Sequence, residues 1–129
     1  MTELPKNLKY NKEYSWVKIE EGIATIGVIK PLGEMTGEFV FLELPKKGDK
    51  VKRGEKYLGL EAAKWTGEIN SPLTGEIIDV NMSVFDEPTK LNDEPYKEWI
   101  IKLKMSNPEE TKELLSAEEA EKQDWGKRR

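Results

Sequence analysis

The sequence predicts a mainly β fold, a sandwich or barrel followed by a short C-terminal helical segment. Three observations predict it. Apolar residues recur in short runs of strand length rather than at sustained helical spacing. Turn-forming residues separate those runs at close intervals, as in antiparallel sandwiches and barrels rather than alternating α/β folds. Only beyond Asn107 does the pattern change to helix-start chemistry.

The elements follow in order. Tyr14 to Glu20 alternates, with Trp16 and Lys18 on one face and Val17 and Ile19 on the other. Glu20-Glu21-Gly22 reads as a turn and Ile23 to Ile29 as the returning strand. Residues 31–37 read as a connector with room for one helical turn. Phe39 to Leu44 is the strongest strand, ended by Pro45. A turn-rich stretch, 48–55, precedes strand pieces at 57–60 and around Ile69, which flank a tip at Ala62-Ala63-Lys64-Trp65. Ser71 to Gly75 is a turn and Glu76 to Asn81 a strand. Residues 85–96, with Pro88 and Pro95, read as a long loop, and Trp99 to Lys104 as the last strand. Asn107 is the expected N-cap, Pro108 suits the first helical position, and Glu110 stands at the third position of a capping box. Ser116 with Glu119 repeats that pattern, so the helix is expected to break and restart there. All 129 residues are expected to form one domain: a core over about 8–105, a helix over about 108–122 and a tail at 123–129.

Composition narrows the chemistry. The chain has no histidine and no cysteine. Disulfides, Cys/His zinc sites and Ser-His-Asp or Cys-His catalysis are therefore excluded. Carboxylates, lysines, hydroxyls and phenols remain, so redox or acyl chemistry would need an attached group. No metal site is expected. The net charge of −4, with basic residues concentrated only at Lys127-Arg128-Arg129, argues against a nucleic-acid surface. No apolar run approaches the roughly 20 residues of a membrane helix. Residues 1–6 lack the apolar stretch of a signal peptide. A cytoplasmic monomer is the expectation. Acidic pairs such as Glu20-Glu21 and Glu109-Glu110 read as solvated turn and helix-start charges rather than catalytic dyads.

Three stretches stand together: Gly48-Asp49-x-Val51-x-x-Gly54-Glu55, then Glu61-Ala62-Ala63-Lys64, then Ser71-Pro72-x-x-Gly75-Glu76-Ile77. This series resembles the biotinyl/lipoyl-carrier fold, and within it the glycine-cleavage H proteins and their H-like lipoyl-carrier relatives. Tyr14-Ser15-Trp16-Val17 matches the family's His-Glu-Trp-Val, and Ala24-Thr25-Ile26-Gly27-Val28 its Ala-Thr-Val-Gly-Ile. Residues 37–45 match Gly-Asp-Ile-Val-Tyr-Val-Glu-Leu-Pro, and Asn92-Asp93-Glu94-Pro95-Tyr96 matches Asn-Glu-Asp-Pro-Tyr. The matches run in order from about Leu8 to Glu119.

The resemblance implies a lipoyl-type flattened barrel-sandwich hybrid and a non-catalytic carrier. Lys64 would hold lipoate at a hairpin tip, and Glu61 would be read by a lipoate ligase or by lipoyl synthase. The carrier would shuttle an aminomethyl group between glycine decarboxylase (P protein), aminomethyltransferase (T protein) and lipoamide dehydrogenase (L protein). The loaded arm would fold into a cleft, bordered here by Ala63, Trp65, Glu68, Glu13 and Ser15. An exposed lysine on a tight hairpin suits such a role, because the flanking strands fix the turn while a ligase reaches the amine. Ala62 and Ala63 are expected to keep the tip open. Trp65 either packs on the arm or folds back as a lid on the hairpin. A biotin carrier would show Met-Lys-Met, whereas Lys64 lies between Ala63 and Trp65.

The cleft departs from the family pattern. The carboxylate expected before Trp16 is replaced by Ser15, with Glu13 two residues earlier, and Glu68 stands in place of Asp. Leu32-Gly33 replaces Ala-Gln, Lys97-Glu98 replaces glycines before Trp99, and Ala120 falls near a usual Tyr. Two further readings stay open. One is an H-like lipoate-binding carrier for another pathway, such as heterodisulfide-reductase-like sulfur oxidation. The other is an unmodified binding module or lipoate reservoir.

Overall fold

Every strand in this computed structural model, which describes residues 4–123, pairs antiparallel with its neighbours. The strands are β1 (Lys9–Tyr10), β2 (Ser15–Glu20), β3 (Ile23–Val28), β4 (Phe39–Glu43), β5 (Lys50–Val51), β6 (Lys56–Ala62), β7 (Trp65–Asn70), β8 (Gly75–Val80) and β9 (Ile101–Met105). They form a six-stranded sheet in the order β1-β2-β3-β9-β8-β5 and a three-stranded sheet in the order β4-β6-β7. The two sheets make a flattened sandwich, as expected for the fold class.

Alternation along the strands puts one apolar set between the sheets. Val17, Ile26, Ile77 and Leu103 from the large sheet meet Phe39, Leu42, Leu60 and Ile69 from the small one in a single buried cluster. Each such side chain contributes about 1.5–3 kcal/mol by leaving water. Trp16, on the opposite face of β2 from Val17, enters a second buried cluster with Leu4, Leu8, Tyr10, Ile29, Ala117 and Ala120. Both faces of the start of β2 are therefore covered. The termini meet in this second cluster: the Leu4 amide donates to a Glu121 carboxylate oxygen at 2.8 Å, and Tyr10 pairs with Leu115.

The helices depart from the expected layout. The connector after β3 is a seven-residue helix, α1 (Lys30–Thr36). Residues 85–96 are not a plain loop. They hold the end of α2 (Met82–Asp86) and all of α3 (Thr89–Asp93), and Val84 of the first helix and Leu91 of the second are buried in the main core. Five residues are too few for a readable helical period; Asn81, read as the end of a strand, caps α2 by accepting from the Ser83 amide at 3.2 Å.

The expected C-terminal helix is two pieces, a 3-10 helix over Pro108–Glu113 and α4 (Ala117–Glu121). Asn107 does not cap the first piece with its side chain. Glu110 turns instead to Thr74, accepting from its amide and hydroxyl, each at 2.7 Å. The second capping box forms as read: the Ser116 amide donates to Glu119 at 2.9 Å and the Glu119 amide to Ser116 Oγ at 3.1 Å. Hydrogen bonding to the carboxyl by the Ser116 amide first, and by the Ser116 side chain second, holds Glu119 below its ordinary pKa. Lys127-Arg128-Arg129 and most of the expected tail lie outside the described residues.

Candidate functional site

Strands β6 and β7 pair to the very end of their hairpin. Ala62 faces Trp65, so Ala63 and Lys64 alone make the turn. Lys64 is exposed, and among the described residues it enters no ion pair. Its backbone is held from outside the hairpin. The Lys64 amide donates to the Thr36 carbonyl at 2.8 Å, and the Ala63 amide to the Glu38 carbonyl at 2.9 Å. These bonds tie the tip to the corner between α1 and β4. Gly37 sits at the middle of that corner with φ of 86°, and a Cβ there would lie 3.1 Å from the Ala63 Cβ. A free amine thus projects from a backbone fixed on two sides.

A cleft of about 760 Å³ opens beside this tip, between α1, the edge strand β7 and the segment before β2. Leu32, Met35, Trp65 and Ile69 give it apolar walls, and Glu13, Glu34 and Glu68 bring carboxylates to it. Glu68 also lies 3.8 Å from Lys56, whose ammonium contacts Glu43 at 2.9 Å. The hydrogen bond and charge of Glu43, with Glu68 farther off, hold the Lys56 pKa above the ordinary lysine value. The walls suit an aliphatic chain, and the carboxylates suit a cationic end group.

The expected site residues divide. Lys64, Trp65, Glu68 and Glu13 all line the cleft. Ala63 is exposed at the tip beside them. Ala62 does not keep the tip open; strand alternation turns it into the main core. Trp65 folds back along its strand, where a Cβ at Gly67 would come within 2.3 Å of its ring, and from there it forms part of the cleft wall. Of the roles considered for Trp65, the fold-back onto the hairpin is the one observed, and it leaves the indole facing the cleft. Glu61 is exposed on β6, opposite Phe41 and Thr66, and is not among the cleft residues.

Ser15 is the correction. It was expected in the cleft, but it is fully buried, with its hydroxyl 2.8 Å from that of Tyr57. As the first residue of β2 it points toward the interior, where a small hydroxyl is accommodated and satisfied by Tyr57. Burial raises the Tyr57 pKa, and the Ser15 bond opposes that rise only in part.

Sequence reading missed Tyr14, Glu34 and Met35, which also line the cleft. Tyr14 has a positive φ of 74°, uncommon for a residue with a side chain. The Asn11 side chain braces this bend by accepting from the amides of Glu13 and Ser15, each at 3.0 Å, and the Tyr14 hydroxyl lies 3.7 Å from Met35 Sδ. Asn11 three residues before Tyr14 was the available signal, since Asn side chains close such turns.

The sequence matches the family model of the glycine cleavage H-protein over residues 8–124. This chain belongs to the glycine cleavage H-protein family. A probable glycine cleavage system H protein of Aeropyrum pernix is 42% identical over 117 residues, covering 90% of this chain and 82% of the relative. The glycine cleavage system H protein of Carboxydothermus hydrogenoformans is 37% identical over 123 residues, covering 95% of each. The crystal structure of a glycine cleavage system H protein from Mycobacterium marinum superposes with a TM-score of 0.82 at 26% identity, over 91% of this chain and 95% of that one. The family's flattened β sandwich is thus the fold found here. Among the described residues no helix is long and apolar enough to cross a membrane.

Proposed function

We propose that this chain is the lipoyl carrier of a glycine cleavage system, with the lipoyl group in amide linkage to Lys64. The observation that carries the reading is the exposed Lys64 amine at a two-residue tip whose backbone is anchored to the α1–β4 corner. Family membership supplies the reaction; the tip and its neighbouring cleft fit the group. When bound, lipoate supplies a dithiolane that interconverts with a dithiol by thiol–disulfide exchange and so carries the aminomethyl unit.

The chain's own residues do the rest. Lys64 gives up its charge on acylation and thereafter acts as a fixed pivot. Tethering at that pivot raises the local concentration of the group at each partner. Leu32, Met35, Trp65 and Ile69 would shelter it from water, and Glu13, Glu34 and Glu68 would hold a cationic amine. Glu13 and Glu34 compensate for the carboxylate missing at Ser15. Glu61, outside the cleft, is the residue a lipoylating enzyme would read. The partners on this reading are the P, T and L proteins together with a lipoate ligase or lipoyl synthase, and the carrier works as a monomer in the cytoplasm.

Intact mass after incubation with lipoate, ATP and a lipoate ligase tests the attachment. The wild-type chain gains one lipoyl mass and Lys64→Arg gains none. An unshifted wild type, or a shift that survives Lys64→Arg, refutes the site. A reconstituted glycine–bicarbonate exchange assay tests the pathway: lipoylated carrier that fails where an ordinary H protein works belongs to another lipoate-dependent system.

A further inference from the structure

The Asn92-Asp93-Glu94-Pro95-Tyr96 stretch has no part in the site as described so far, yet its first residue touches the scaffold behind Lys64. The backbone groups of the corner 36–39, where α1 ends and Gly37 turns the chain with a positive φ, divide between two sides. The Thr36 and Glu38 carbonyls face the hairpin and accept from Lys64 and Ala63. The Gly37 carbonyl and the Phe39 amide face α3, and both are taken by one side chain. Asn92 Nδ2 donates to the Gly37 carbonyl at 3.3 Å, and Asn92 Oδ1 accepts from the Phe39 amide at 2.9 Å. Leu91, buried in the main core, fixes α3 and hence this amide. On the α1 side the fit is close: a Cβ on Gly33 would come within 2.9 Å of Asn92 Nδ2.

We propose that Asn92 is a positioning residue for the acceptor lysine: by holding both faces-away groups of the corner, it fixes the two carbonyls that anchor the Lys64 tip. This rests on the carrier reading. A primary amide is the chemistry the place requires, because one planar group must donate to a carbonyl and accept from an amide at the same time. A carboxylate can only accept, and an apolar side chain does neither. With Asn92 removed, the corner keeps its covalent path but loses the register that points its carbonyls at the tip. The enzyme that acylates Lys64 then meets the amine in many orientations instead of one, which weakens productive encounter more than the chemical step.

Amide hydrogen exchange by NMR on the unmodified full chain tests this independently of lipoylation. In Asn92→Ala the protection of the Lys64 and Ala63 amides falls about tenfold, the factor one neutral hydrogen bond supplies. The Leu115 amide, bonded to the Tyr10 carbonyl in the distant terminal cluster, keeps its protection. Asn92→Asp, which retains an acceptor for Phe39, recovers part of the loss at Lys64. With a lipoate ligase, KM for Asn92→Ala carrier rises several-fold while kcat holds. Unchanged protection at Lys64 and Ala63 overturns the proposal. So does an equal fall at Leu115, which would make Asn92 a general stabiliser. If Asn92→Ala does not fold, Asn92→Asp alone decides, by whether Lys64 loses protection relative to Leu115. Failure of the wild type to accept lipoate at all would refute the carrier reading and leave the exchange result standing.

Discussion

Two hairpins in this molecule turn through two residues each, and they are held in opposite ways. Between β2 and β3 the turn is Glu21-Gly22, with φ of 50° and 82°. Two positive φ values give the twist that matches antiparallel strands, so this turn closes on its own chemistry. Nothing lies within 4 Å of a Cβ built on Gly22. Between β6 and β7 the turn is Ala63-Lys64, and neither residue is among those with positive φ. This tip lacks the backbone that closes a hairpin by itself, and two hydrogen bonds to the α1–β4 corner hold it instead. The surface turn is local. The Lys64 tip is tertiary, and both of its side chains stay exposed.

Substitutions at the two supporting glycines sharpen that contrast. Gly37→Ala should have the largest effect. Gly37 combines φ of 86° with ψ of −168°, a region open essentially to glycine, and its Cβ would crowd Ala63 at 3.1 Å. A loss of about 3 kcal/mol in urea unfolding is expected, together with slower lipoylation of Lys64. Gly22→Ala should cost about 1 kcal/mol, the penalty of a left-handed backbone, and leave the lipoylation rate at the wild-type value. Equal effects of the two variants on lipoylation would erase the distinction between the hairpins.

The smallest effect, absent at neutral pH, compares the two buried clusters. Tyr57 in the main core and Tyr10 in the terminal cluster both have pKa values raised, chiefly by burial. In each case the folded chain keeps its phenolic proton after the unfolded chain has lost it, above about pH 10. Stability is therefore fully present below that pH and falls as pH rises through the folded values. Urea midpoints should hold from about pH 8 toward pH 10 and drop above it. Tyr57→Phe should flatten the decline, and an unchanged slope would show that Tyr57 does not titrate later in the folded chain.

The strands were legible because alternation and turn residues report directly on a half-buried sheet: Ile23, Phe39 and the Glu21-Gly22 turn fall where the pattern put them. Lys64, Trp65, Glu68 and Glu13 were legible as neighbours of one motif series, and the cleft does bring them together. Ser15 was misread because position along a strand does not say which side faces a cleft, and Tyr57, forty-two residues away, takes its hydroxyl. The helices α2 and α3 were missed because five residues give too little periodicity to read.

The sequence by itself determined the fold class, the absence of histidine and cysteine chemistry, and the hairpin that carries Lys64. These depend on local pattern and on which functional groups exist. Only the tertiary structure decided which groups surround that lysine. Thr36 and Glu38 meet the tip through their carbonyls, and Asn92 holds the corner behind them through its side-chain amide, from segments about thirty residues away on either side. Backbone hydrogen bonding is the same for nearly every residue type and leaves no mark in composition or spacing. The support of the tip is therefore visible only once the chain has folded around it.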